Sequence, residues 1–572
     1  ATTAPAATTA PAATTAPAAT AVRQPTLGIV ATATPSAGLP TATTVPTPTP
    51  GAAVSAKDTV RIVTNEEPTS IGAYSAGECS GNLNTMVCGE LASDPLTWLD
   101  NKTFEVVPLQ QIEGWEQVAP DRWRFSLREG IVFHNGAEWN AEQMKFGIDW
   151  AGDEETAGHH SGDEFGQHGV FTGEIVDDMT VDVVCKIACP ILPKTTMFTK
   201  FQDMEWVQAA SPDDLESMTV GLGPYKIVEW RRGIQVELEA NEDYKPNTSF
   251  ASQAPSIRTV LQIWANEPLV RAAMLQNGEA DWAQIDMEDR DLVPRYEVAS
   301  NNEAYVYVID TLYHPELVKV EVREALNLAI DCETLMEQIF ENLLECYGNI
   351  AQPGTVGITP ENSAPYGYDP ARARELLAEA NYDDSNGFSL NIRQNRVPKD
   401  VEWGEAVVSY WREVGINAEL NVVEAGIAST IRNSNCGSWD KSEIMAAPGD
   451  SVREKCISKG PGPPRYLSVN LAETATSTES LDFSRQGGFR NTCFSRSSAV
   501  CETELTEMID LANSTDTGPL RTERQTKVAD HVHNHFHFVP NFLVVMVYGM
   551  AADLVYEPYY APRVRANTMR FE

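Results

Sequence analysis

Strands alternating with well-bounded helices predict a mixed α/β protein of two or three domains. Three observations carry that reading. The chain has 572 residues, more than a single hydrophobic core usually serves. Apolar stretches of period two end at Gly, Pro or Asn-Gly signals, as strands and turns do. Between them, Asp and Asn residues stand just ahead of apolar stripes of helical period.

The elements follow in order. "DTVRIVTNEEP" alternates as a strand and stops at Pro68. "DRWRFSLREGIVFHNGAEWNAEQMKFGIDWA" predicts a strand, a turn at Glu129-Gly130, a second strand, a turn at Asn135-Gly136 and a helix. Asn140 is the N-cap of that helix with Gln143 three residues on, and Met144 and Ile148 share its buried face. "GPYKIVEWRRGIQVELEANEDY" predicts a hairpin turning at Arg232-Gly233. Further on, Val322, Leu326 and Ile330 form one stripe, and Asp331 caps the next helix. Asp369 caps another, with Pro370 at the first helical position, where a missing N–H costs nothing. "WGEAVVSYWREVGINAELNVVE" reads as a helix, a stop at Gly415 and a strand, a βαβ-type unit.

Composition bounds the function. A net charge of −39 at pH 7 repels phosphate backbones and argues against nucleic acid as a partner. No apolar run is long enough to cross a bilayer. Residues 1–56 are a different material: a repeated "TTAPAA" unit and a Thr/Pro/Ala-rich continuation carry one charged side chain, Arg23, and no aromatic residue. They read as a stalk, disordered or glycosylated. With no initial Met, the reading is of an exported chain from which a leader or lipoprotein signal has been removed. The ten cysteines point to the same oxidising compartment. They fall into five sequence neighbours, Cys79 with Cys88, Cys185 with Cys189, Cys332 with Cys346, Cys436 with Cys456 and Cys493 with Cys501, although sequence alone leaves the connectivity open.

The motifs together carry a resemblance. "PLTWLDNKTFEVVPLQQIEGWEQVAPDRWRFSLREGIVFHNGAEWNAEQMKFGIDW", "GLGPYKIVEWRRG", "AAMLQNGEADWA", "VREALNLAID" and "YGYDPARARELLAEANY" occur in the order found in solute-binding proteins of peptide and nickel ABC importers. The chain resembles that family well over about residues 57–430 and loosely beyond. The resemblance implies a two-lobed periplasmic-binding-protein fold of class II, of the large cluster C type, with an extra subdomain in lobe one. It places lobe one at residues 57–284 plus 546–572 and lobe two at 285–545, joined by a two-strand hinge. It implies a protein outside the cytoplasm that closes on a peptide or similar solute and delivers it to a membrane permease, with no cofactor; a monomer is the default, and the stalk is read as its tether. In such relatives an aspartate pairs with the ligand's amino group and an arginine takes its carboxylate. Asp450 in "EIMAAPGDS" matches the first, although Ala447 stands where the family has an aromatic residue, and Pro-Gly-Asp-Ser is also a good turn. Arg396 in "LNIRQNRVP" matches the second, with Arg393 as the substitute. Tyr74, Trp403 and Trp439 are read either as apolar walls of the cleft or as core.

Other chemistry is weaker in the sequence. There is no GxSxG, P-loop, HExxH or GxGxxG signature of an enzyme. "HVHNHFHF" puts His531, His533, His535 and His537 in one short stretch. On a helix beginning at Gly518-Pro519, with Val528, Val532 and Phe536 buried, His531 and His535 lie four apart, as do His533 and His537. Such pairs can share a zinc or nickel ion. The alternative is that histidines simply oppose the negative end of the helix dipole, and no neighbouring acid except Asp530 completes a ligand set. "HHSGDEFGQH", with His159, His160, Asp163 and His168, is read the same two ways. A metal or metallophore binder, or a surface-layer or adhesive protein on the same scaffold, are the other function classes.

Overall fold

The computed structural model describes residues 57–74, 86–152, 171–247, 249–309, 311, 314–393, 397, 399–423, 468–472, 480–492, 500, 502–559 and 563–572. Residues 1–56, Cys79, Cys436, Cys456, Cys493, Cys501, and His159, His160, Asp163 and His168 lie outside them.

Among the described residues, fourteen strands make up the two larger sheets: β1 (Thr59–Thr64), β2 (Ile112–Ala119), β3 (Arg122–Leu127), β4 (Phe171–Asp177), β5 (Thr180–Cys185), β6 (Tyr225–Arg231), β7 (Gln235–Ala240), β8 (Thr259–Trp264), β9 (Trp282–Ile285), β10 (Arg295–Ile309), β11 (Phe388–Arg393), β12 (Ala418–Val423), β13 (Ser468–Ala472) and β14 (Phe538–Met550). Ten of them form one mixed sheet in the order β12-β11-β13-β10-β14-β9-β1-β8-β7-β6. The parallel strands β9, β1 and β8 lie on one side of β10 and β14, and the parallel strands β12, β11 and β13 on the other. β10 and β14 pair antiparallel through both halves, with the register shifting between Ser300 and Ala304 and again between Tyr305 and Val306. A separate antiparallel sheet, β2-β3-β5-β4, packs under α1 (Ala141–Gly152).

Local chemistry explains the boundaries. Asn140 accepts from the Gln143 amide at 3.1 Å, and Met144 and Ile148 are fully buried. Gly130, Gly136 and Gly233 all have positive φ at the predicted turns. One strand is missing from its predicted place: after Gly130, Val132 makes only an isolated bridge to Glu138, because the turn at Gly136 folds the chain back at once. In "GLGPYKIVEW", Gly221 and Gly223 lie where a Cβ would collide with the carbonyl oxygens of Ala92 and Leu91.

The second half repeats the pattern with more helix: α2 (Pro268–Gln276) in the first half is followed by α3 (Val320–Leu328), α4 (Cys332–Phe340), α5 (Pro370–Glu379) and α6 (Asp400–Glu413). Asp331 caps α4 through the Thr334 amide, and Asp369 caps α5 through that of Arg372. The unit β11-α6-β12 is the expected parallel βαβ crossover. α6 buries Trp403, Val407, Val408 and Trp411, each contributing roughly 1.5–3 kcal/mol of burial. Three further helices follow among the described residues: α7 (Ser484–Arg490), α8 (Thr503–Asn513) and α9 (Pro519–Asn534). Disulfides join Cys185 to Cys189 and Cys332 to Cys346, two of the five sequence neighbours, and Cys88 is also disulfide-bonded.

The Arg521 guanidinium pins the last three helices. Its Nε and Nη2 donate to both oxygens of Asp482 at 2.8 Å, and Nη1 donates to the carbonyls of Ala512, Asn513 and Thr515 at the end of α8. Both partners are buried. Asp482→Ala strands that cation away from water, so the variant should lose about 3–5 kcal/mol of stability in urea titration. A loss within 1 kcal/mol of zero would mean that the pair holds nothing together.

Candidate functional site

The sheet topology selects the site. β1, β8 and β9 run toward the β10–β14 crossing and end at Thr64, Trp264 and Ile285. β11, β12 and β13 run toward the same crossing from the other half and end at Arg393, Val423 and Ala472. Ligands of open α/β sheets bind outside the carboxyl ends of parallel strands, and here two such sets face each other.

A pocket open to solvent lies at that junction. Asp286 and Glu288, just past β9, line it from one half, while Phe340, Val397 and Lys399 line it from the other. Phe542, Val544 and Val547 of β14 also line it, so the wall is largely apolar with a few charges. Lys399 Nζ meets Glu288 at 2.9 Å, an ion pair across the two halves. Burial pushes the Asp286 carboxyl up to about 6, helped by Asp289 and Glu288 and opposed by Arg271 and Lys399. A second contact between the halves sits away from the cavity: the Arg485 guanidinium of α7 lies 4.1 Å from the centre of the Phe198 ring.

Residues 106–446, more than half of the chain, match the model of bacterial extracellular solute-binding proteins, family 5. The chain belongs to that family. Its relatives include the glutathione-binding protein GsiB of Salmonella typhi, 28% identical over 325 residues that cover 53% of this chain and 58% of GsiB. The chain thus spans less than two thirds of the length of the curated relatives it matches. Two solved structures share the fold. A dipeptide-binding protein from Pseudoalteromonas sp. SM9913, solved with Met-Leu, has TM-score 0.71 at 18% identity, covering 90% of this chain and 100% of that one. NikA from Staphylococcus aureus, solved with Ni(L-His)2, has TM-score 0.69 at 12% identity, with 90% and 100% covered. The fold of this family 5 protein is therefore the two-lobed one, and the halves of its sheet are its lobes.

The sequence-predicted site residues fall unequally on this geometry. Asp450, Trp439 and Arg396 lie outside the described residues; Arg396 immediately precedes Val397 of the cavity wall, and Arg393 is the last residue of β11. Tyr74 and Trp403 are core residues rather than cleft walls. Tyr74 is 3% exposed, stacks on Trp150 at 4.9 Å and donates its hydroxyl to the Lys200 carbonyl. Trp403 is fully buried, donates to Asn541 and packs behind Phe340 and Phe542, two residues of the cavity wall. Sequence reading missed Asp286, Glu288 and Lys399; the available signal was their place in loops that follow strands, where α/β proteins put binding loops.

The histidine cluster also departs from its sequence reading. α9 stops at Asn534, and Phe536 takes a positive φ of 52°, so Phe536 and His537 are not on the helix. The reversal breaks the expected His533–His537 helical pair and folds His537 back beside His531. His531 Nε2 and His537 Nε2 contact the two oxygens of Glu502, at 2.8 and 2.9 Å. Asp530, the acid expected to help, instead accepts from Asn362. His535 stacks on His531 at 3.9 Å with Nδ1 against the His531 carbonyl, and His533 turns away to the Gly348 carbonyl. Burial lowers His537 to about 4. Burial alone would raise Glu502, but its two imidazole partners outweigh it and hold the carboxyl well below its usual range.

Asp286 gives this site a pH signature. Its folded pKa lies above the unfolded value near 4, so its contribution to stability is intact below about pH 4 and is lost as pH rises through about 6. Asp286→Asn should therefore raise Tm at pH 7.5, by up to about 3 kcal/mol of stability, and change little at pH 4. Equal shifts at the two pH values, measured by thermal unfolding, would contradict a strained carboxylate.

Proposed function

We propose that this family 5 protein captures a small solute between its lobes outside the cytoplasm and presents it, as a monomer, to the permease of an ABC importer. The observation that carries the reading is the convergence of two sets of strand ends on one largely apolar cavity beside the β10–β14 crossing. Such a cleft can enclose a solute without changing a bond in it, so no catalytic role is assigned. Lobe one is taken as residues 57–284 with 546–572 and lobe two as 285–545, with the first boundary moved to the register break after Ser300 so that Asp286 and Glu288 stand on lobe one, and residues 1–56 are taken as a tether. In support of export, the family is extracellular by name, the described cysteines are in disulfides, and no described helix is long and apolar enough to cross a membrane.

The ligands of the relatives narrow the solute class. Glutathione, Met-Leu and the histidine of Ni(L-His)2 all carry an α-amino and a carboxylate group. We assign the amino group to Asp450 and the carboxylate to Arg396, with Arg393 as the substitute, because a zwitterion withdrawn from water needs an opposite charge at each end. Trp439 is retained as a candidate apolar wall.

Native mass spectrometry of the purified protein, followed by calorimetry with glutathione, Met-Leu and Ni(L-His)2, tests this. At least one should bind at a single site, and Asp450→Asn should weaken it tenfold or more with Tm unchanged. A tight ligand whose Kd is indifferent to Asp450→Asn would leave Asp450 as a turn residue, and the absence of any amino acid-like ligand would remove the proposed class.

A further inference from the structure

Outside the cleft, the densest set of metal-competent donors among the described residues is Glu502, His531 and His537. One ligand atom from each lies within 4.8 Å of the other two. They come from three separate places: the residue ahead of α8, the last turns of α9 and the residue ahead of β14. His537 is five residues before Phe542 of the cavity wall, roughly 17 Å along an extended chain, so this cluster is not part of the cleft. We propose that Glu502, His531 and His537 bind one divalent transition-metal ion of the zinc class.

The donor chemistry selects that class. Two imidazole nitrogens and one carboxylate suit zinc, nickel or copper, whereas magnesium and calcium prefer all-oxygen shells. Both histidines already point Nε2 at the same carboxylate, and burial keeps His537 in the neutral form that ligates. A tetrahedral zinc with bonds near 2.0–2.1 Å places its donors about 3.3 Å apart. The present separations of 2.8 and 2.9 Å thus have to open by only about half an ångström. The ion takes the Nε2 lone pairs, and the hydrogen that each neutral imidazole now turns to Glu502 moves to its Nδ1. The Glu502 and His531 side chains are 33% and 13% exposed, which leaves an entry path, and the fourth position falls to water.

Two features set the strength. The Arg323 charge acts on both Glu502 and His537, and it repels a cation. His537 Nδ1 is buried and has no hydrogen-bond partner among the described residues, so the usual second-shell acceptor for a ligating histidine is missing there. Losing such a partner typically weakens a metal site 10–100-fold. The expected affinity is therefore micromolar, below that of a closed structural zinc centre.

The test uses the full chain, freed of metal by chelation and titrated with ZnCl2 in a calorimeter, with MgCl2 and CaCl2 as controls. One zinc should bind and raise Tm, and the controls should not. Glu502→Gln and His531→Ala should each weaken zinc at least tenfold and abolish the Tm rise. His533→Ala, whose ring is stacked on Tyr366 and bonded to Gly348, should leave zinc affinity unchanged. X-ray absorption of the zinc-loaded wild type keeps the proposal falsifiable even where a variant fails to fold: a nitrogen and oxygen shell with two imidazoles supports it. No zinc binding, binding indifferent to Glu502 and His531, or sulfur in the shell would overturn it.

Discussion

The pairing of β10 with β14 is the constraint on which the rest depends. These two long strands run through both lobes, so every other strand of the large sheet takes its place relative to them. Their direction makes β9 and β13 antiparallel neighbours, and through those contacts both sets of parallel strands end at the crossing. The register breaks between Ser300 and Ala304, where the ladder passes from one lobe to the other. A bulge costs ladder hydrogen bonds locally but lets a strand pair bend and twist. The molecule thus has two well-packed bodies joined where pairing is weakest.

That arrangement decides how the lobes can be held together. The Lys399–Glu288 pair crosses them, yet its side chains are 33% and 61% exposed. Exposed pairs of this kind contribute about 0–1 kcal/mol. Such a contact can favour one lobe orientation without fixing it. A solute shifts the lobe equilibrium by the difference in its affinity for the closed and open forms; a thousandfold difference is worth about 4 kcal/mol, more than the ion pair, so occupancy rather than surface charge should govern closure. The buried Arg521–Asp482 pair belongs to a different regime, since neither charge has water to fall back on.

What the sequence disclosed was mostly local. Asn140, Asp331 and Asp369 cap helices through amides three residues away, and Gly130, Gly136, Gly233 and Gly415 turn the chain within their own neighbourhoods. Codes of that range survive without tertiary structure. The family resemblance added the order of segments and with it the two-lobed fold. The candidate site was less legible, because its parts meet only after folding: Glu288 and Lys399 are 111 positions apart. Glu502 joins His531 across 29 positions, and no periodicity links them. The positive φ at Phe536 ended α9 earlier than its apolar stripe implied, and that single reversal replaced the His533–His537 pair by a His531–His537 one. Tyr74 and Trp403 show a different limit: a large aromatic reads equally as cleft wall or core in a sequence, and burial places these two in the core.

Solute binding is expected to move the lobes relative to each other about the β10–β14 crossing. Small-angle X-ray scattering of the purified chain, free and saturated with whichever of glutathione, Met-Leu or Ni(L-His)2 calorimetry shows to bind, addresses it directly. The radius of gyration should be smaller in the bound state, with the change confined to the relative position of two otherwise rigid lobes. An unchanged scattering profile with a ligand demonstrably bound in the cleft would contradict it.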